Sequence, residues 1–295
     1  MSIRSAYLLC TGLVAILITS SACTERFDIE LDSTYQRLVV EGSITTDSIR
    51  HSVTLSLTGD YFSNRPSSRV QHAVVELVTG EDTIQLPESV SDPGRYETPS
   101  ALRGEPGTTY ELIISGLDIN QDGEQERYHS TSRMPGGPEL ESIELRYYET
   151  PVASGYTVLM YASHPVDQRD WFGFKLMKNS DLLTDSLVKF SVLSDDIFDS
   201  GYFPGLPVGF FNDDDPREAL HPGDTITFEL NCIDEAYYNF VTDAQLEIAG
   251  NYPLFSGPPA NIPSNIDNGA EGIFTAYSIQ RLSLILPSLG IPTPR

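Results

Sequence analysis

Oxygen-bearing side chains alternate along Asp118-x-Asn120-x-Asp122-Gly123-Glu124-x-Glu126, the densest run of potential chemistry in the chain. Hard cations such as Ca2+ gather about six to eight oxygens around a glycine-assisted turn, and this spacing suits them. A complete calcium loop ends on a bidentate Glu, where this chain has His129, and no flanking helices are expected. The competing reading is a polar hairpin between a strand ending near Ile114 and one starting near Glu126. An ion held there would stiffen the loop rather than catalyse. A second run, Asn212-Asp213-Asp214-Asp215-Pro216, reads either as a cation cradle or as a solvated turn.

The other chemical signal is Cys23. Arg4 precedes an apolar run from Tyr7 to Ile18, too short to span a bilayer but suited to the core of a signal peptide. Thr19-Ser20-Ser21-Ala22-Cys23 follows and resembles a lipobox, although Ser20 stands where leucine is more usual. Cys23 is therefore the expected lipidation site, and the acyl chains would anchor the protein stably to a membrane. Cys10 falls within the segment to be removed, so Cys232 has no disulfide partner and reads as a small buried hydrophobe.

Acid–base and nucleophilic chemistry find little support. The sequence lacks a Gly-x-Ser-x-Gly elbow, a His-Glu-x-x-His pair, a Gly-rich phosphate loop with Lys and a Cys-x-x-Cys. The five histidines, 51, 72, 129, 164 and 221, stand singly among strands and turns. A non-catalytic protein is expected. With 42 Asp and Glu against 18 Lys and Arg, the net charge of −24 would repel a polyphosphate, which excludes nucleic acid as a partner.

These residues must be carried by strands. Val53, Leu55 and Leu57 alternate with polar neighbours, as do Ala73, Val75 and Leu77, and Tyr110, Leu112 and Ile114. With Asp92-Pro93-Gly94 and Gly104-Glu105-Pro106-Gly107 as turns, residues 37–135 read as an immunoglobulin-like β-sandwich. Ala73-x-Val75-x-Leu77 followed by Gly94-x-Tyr96 also resembles carboxypeptidase-regulatory-like sandwich domains. Met134-Pro135-Gly136-Gly137-Pro138 marks a boundary, and residues 136–295 read as a second β-rich domain. One helix is expected at 234–249, capped by Asp234, with Tyr237, Phe240, Val241 and Ala244 on one face. Two strands, near Ile273–Ile279 and Leu282–Leu286, close the chain. The fold class is mainly β: residues 1–22 a signal peptide, 23–36 an acidic tether, then two β domains.

Tyr202, Phe203, Phe210 and Phe211 lie among Pro204, Gly205, Pro207 and Gly209 and read as a loop. So many aromatics either fold onto the second domain or serve as a binding surface.

Four segments occur in a telling order: Leu38-Val39-Val40-Glu41-Gly42-Ser43-Ile44, His51-Ser52-Val53-Thr54-Leu55, Phe211-Asn212-Asp213-Asp214, and Asn261-Ile262-Pro263-Ser264-Asn265-Ile266-x-Asn268-Gly269. Together they resemble the Bacteroidetes outer-membrane lipoproteins of domain-of-unknown-function family 4249. Ala270-Glu271-Gly272 departs from that pattern by one added residue before Ile273. The resemblance implies a cell-surface lipoprotein, accessory to a TonB-dependent transporter in substrate capture or uptake. The alternative function is a calcium-stiffened structural or adhesive surface protein.

Overall fold

The computed structural model describes residues 36–59, 66–163, 169–197, 201–250 and 262–287. The signal peptide, Cys23 and nearly all of the tether lie outside the described residues.

Alternating apolar residues build the first seven strands: β1 (Leu38–Thr45), β2 (Ser52–Leu57), β3 (Val74–Thr79), β4 (Asp82–Leu86), β5 (Arg95–Glu97), β6 (Thr109–Leu117) and β7 (Glu126–Arg133). Eight more follow: β8 (Glu139–Glu149), β9 (Ser154–Ser163), β10 (Trp171–Lys178), β11 (Asp181–Leu182), β12 (Ser191–Ser194), β13 (Tyr202–Asn212), β14 (Thr225–Ile233) and β15 (Glu271–Ile285). One α-helix, α1 (Glu235–Gly250), separates the last two. Among the described residues the fold is mainly β with one α-helix, as the sequence leads one to expect.

An eight-stranded sheet runs β11-β10-β14-β15-β1-β2-β5, with β12 also on β10. All its pairings are antiparallel except β1 with β15, where Val39 lies beside Glu271 and Thr45 beside Tyr277. Strand periodicity then sorts its side chains onto two faces. Val40, Ile44, Phe274 and Ala276 share one face with Leu176, Phe228 and Leu230. Two smaller sheets cover that face side by side.

The four-stranded sheet β4-β3-β6-β7 closes the first core, in which Val75, Leu77, Leu112 and Ile114 meet Leu38, Val40, Leu55 and Phe274. The three-stranded sheet β13-β9-β8 closes the second, where Val158, Met160, Phe203 and Phe211 meet Phe172, Phe228 and Leu230. Each large apolar side chain so buried contributes about 1.5–3 kcal/mol. The turn at residues 134–138 falls between the strands of these two cores, yet the large sheet joins strands from both sides of it. The described residues form one compact unit.

On the other face of the large sheet lie α1 and a 3-10 turn at Leu187–Lys189. Asp234 caps the helix by accepting the Tyr237 N–H at 2.9 Å. The Tyr237 ring stacks on Tyr277 at 6.2 Å, and Gln245 donates to the carbonyls of Leu187 and Phe190 at 2.7 and 2.6 Å. Among the described residues no helix is long and apolar enough to cross a membrane.

Two expectations change. The two closing strands are one 15-residue strand, β15, because its first part is needed beside β1 and its second beside β14. The aromatic stretch at 202–212 is a strand rather than a loop. Proline and glycine there are tolerated because β13 is an edge strand, and its pairing with β9 shifts register twice, at Pro204/Leu206 and Pro207/Gly209.

Candidate functional site

The strand ends at the seam between the two cores leave a cavity of about 420 Å3, within the range that small-molecule sites occupy. Arg133 at the end of β7, Arg169 and Trp171 at the start of β10, and Asp234 before α1 line it, with Met134 and Ile233 as apolar wall. Its polar groups are held in place. Arg133 donates through Nε to the Gly107 carbonyl at 3.2 Å. Arg169 pairs with Asp196 and lies over the Trp171 indole at 5.6 Å, a cation–π contact.

Asp234 ties this wall to β7 and, through it, to β15. Its second carboxylate oxygen accepts from the Ser132 hydroxyl, and Ser132 Oγ in turn accepts the Ala276 N–H at 2.8 Å. Burial pushes the Asp234 carboxyl above its ordinary range, against the pull of those hydrogen bonds. Guanidinium, indole and carboxylate groups around one cavity suit a ligand with both a flat apolar part and polar ends.

A second polar site crosses the back of the large sheet. Lys175, Glu229 and Arg281 stand in one row on β10, β14 and β15. Lys175 Nζ lies 3.1 Å from Glu229, and Arg281 donates through Nε to Glu229 at 2.7 Å and through both terminal nitrogens to Asp47 at 2.8 and 2.6 Å. Glu229 is 2% exposed, so only this pairing makes its charge tolerable. Hydrogen bonding from Arg281 holds the Asp47 carboxyl below its usual range. Burial works against the Lys175 charge, but Tyr277 and Glu229 outweigh it and raise the pKa. The charges of the row balance one another, as in a structural brace, and Glu229 Oε1 faces the Lys175 ammonium as an ion pair without a hydrogen bond.

The alternating loop forms the hairpin between β6 and β7. Asp118 accepts the N–H groups of Asp122 and Gly123 at 3.1 and 3.0 Å, and Glu126 accepts those of Ile119 and Asn120 at 2.8 and 3.2 Å. Asp122 accepts from Glu124 N–H and from the Asn120 amide. These oxygens face their own backbone, and no group of three or more His, Cys, Asp or Glu is gathered for a metal among the described residues. In the second acidic run, Asn212 and Asp215 likewise accept backbone N–H groups, from Asp214 and Arg217.

The four aromatics divide by strand alternation: Phe203 and Phe211 are fully buried in the second core, and Tyr202 and Phe210 are each 39% exposed. Cys232 is buried, and burial pushes its thiol up to about 12, which leaves it protonated and unreactive. His51 is buried with Nε2 2.9 Å from the Leu102 carbonyl, and His72, His129 and His221 sit beside Glu88, Glu111 and Asp224. His164 lies outside the described residues. Sequence reasoning missed Arg133, Arg169, Trp171 and Asp234 as neighbours. Of these, the sequence marks Asp234 as a helix cap, and the signal that could have pointed to the cavity is that Trp171 is the sole tryptophan.

The architecture defines a class: a β protein with two cores closed against one shared sheet. Within it, the domain of unknown function DUF4249 matches residues 24–283, and the chain belongs to this family. A search of the curated proteins found no match.

Proposed function

We propose that this protein is a non-catalytic, lipid-anchored binding protein of a Bacteroidetes-type outer membrane, exposed at the cell surface and accessory to a TonB-dependent transporter. The observation that carries the reading is the position of the family match, which opens at residue 24, directly behind the lipobox cysteine. The anchor would be acylated Cys23, and the acidic residues at 25, 28, 30 and 32 would form the tether beyond it. The seam cavity beside Trp171 supplies the place for a captured ligand, since a preformed cleft with a few fixed polar groups is what small ligands require.

A mild-detergent pull-down of tagged full-length protein from its native outer membrane, with a Cys23→Ala control, tests the proposal. Recovery of one stoichiometric β-barrel transporter, lost in the control, supports it. Recovery of the protein alone overturns the accessory role.

A further inference from the structure

The outer face of the three-stranded sheet is an aromatic platform. The register places Ser142, Tyr161 and Pro204 in one row across β8, β9 and β13. Glu144, Leu159 and Pro207 form the next, and Arg146, Thr157 and Phe210 the third. Among the described residues the elements packed most closely on this sheet, β10 and β15, lie on its core side, and Phe210 also borders a pocket lined by Leu183, Lys189 and Glu218. Two glycines let the rings lie down. A side chain at Gly155 would collide first with the Phe211 carbonyl and also meet the Phe210 ring at 2.9 Å, and one at Gly205 would meet the Tyr161 hydroxyl at 3.0 Å. Tyr161 donates to Glu144 at 2.9 Å, and Arg146 donates to the same carboxylate at 3.1 Å. Tyr148 and Tyr202 extend the platform and are 43% and 39% exposed.

Both edges of this sheet are unsuited to adding a strand. Pro204 and Pro207 withhold N–H groups on β13, and Glu139, Glu141 and Glu149 line β8. Recognition would therefore use the face. Flat, aromatic and arginine-bearing surfaces suit protein partners, whereas small ligands need concavity.

We infer that this face is a self-association surface, covered by the same face of a second copy. In a chain of net charge −24, most surfaces repel their own copies. The three rows carry one acid and one base, Glu144 and Arg146, in neighbouring rows and paired within the chain, and the row of Tyr202 adds Glu139. A two-fold axis crossing the strands between those rows sets each Arg146 against the partner's Glu144, so the face complements itself. With strands about 4.8 Å apart and residues about 3.3 Å apart, the two footprints bury on the order of 1,000 Å2 in total. That is the low end of specific interfaces and gives a weak, reversible dimer.

Cross-linking in the cells that make the full chain tests this inference, with the parent chain treated in parallel so that a band formed through Cys23 is not counted. Thr157→Cys is treated with a short bis-maleimide, to which buried Cys232 is inert. A dimer band is expected. Arg146→Glu should reduce it about tenfold, the equivalent of about 1.4 kcal/mol shared between the two like-charge clashes that the two-fold axis creates. Co-expressing the Arg146→Glu chain with a Glu144→Arg chain should restore it, because opposite charges then meet only between chains and not within one. No dimer band, or a band unchanged by Arg146→Glu and by Phe210→Lys, overturns the inference.

Discussion

Arg281 and Glu229 face each other directly across the β14–β15 ladder, 2.7 Å apart, one side chain partly exposed and the other 2% exposed. Removing one member of such a pair strands the other charge in the sheet. Arg281→Ala should therefore cost about 2–4 kcal/mol, and Glu229→Leu with Arg281→Leu together should cost less than the sum of the single changes. Urea unfolding midpoints at neutral pH would measure both.

Two carboxyls give opposite pH signatures. Asp47 is held below its ordinary 3.8 by Arg281, so its contribution is full above that value and is lost as pH falls through the lowered pKa. Asp234 is raised by burial, so its contribution is full below 3.8 and declines as pH rises through the raised pKa. Asp47→Asn should destabilise at pH 7, with the difference from the parent closing in acid. Asp234→Asn, which keeps the helix cap, should gain on the parent as pH rises. Stability measured across that range distinguishes the two signs.

Alternation along β13 makes Phe211 and Phe210 unequal. Phe211→Ala should cost about 3–5 kcal/mol because it empties a core position, while Phe210→Ala should cost less than about 1 kcal/mol. Equal losses on thermal unfolding would contradict the strand pairing itself.

In the β6–β7 hairpin, Asp118→Ala removes the acceptor of two N–H groups. The expected loss is about 1–2 kcal/mol, the same with Ca2+ as with a chelator, since these oxygens serve the backbone. A thermal shift induced by Ca2+ in the parent and absent in the Asp118→Ala variant would show instead that the loop opens to hold the ion.

Period-two alternation made most strands legible, and Asp234, followed by a helical run to Gly250, made the helix so. What stayed hidden was long-range. Pro204, Gly205 and Pro207 argue locally for a loop, and only the edge position of β13 and its bulges admit them to a strand. Nor does local pattern reveal that Arg133, Trp171 and Asp234 line one cavity, because that follows from which strands become neighbours. The continuity of β15 is hidden for the same reason: its Gln280-Arg281 break is apolar-poor, but both residues are needed at the brace and at the Pro138 carbonyl.

The parallel pairing of β1 with β15 also governs how the chain can fold. Residue 39 must wait for residue 271, so the shared sheet cannot close until almost the whole polypeptide has been made. Such distant contacts slow folding and leave strand edges open meanwhile. Because Phe274 and Ala276 belong to the first core and Leu284 and Leu286 pack into the second, a chain cut before β15 loses the completion of both. Shortening this protein from its C-terminal side would not release an independent N-terminal sandwich.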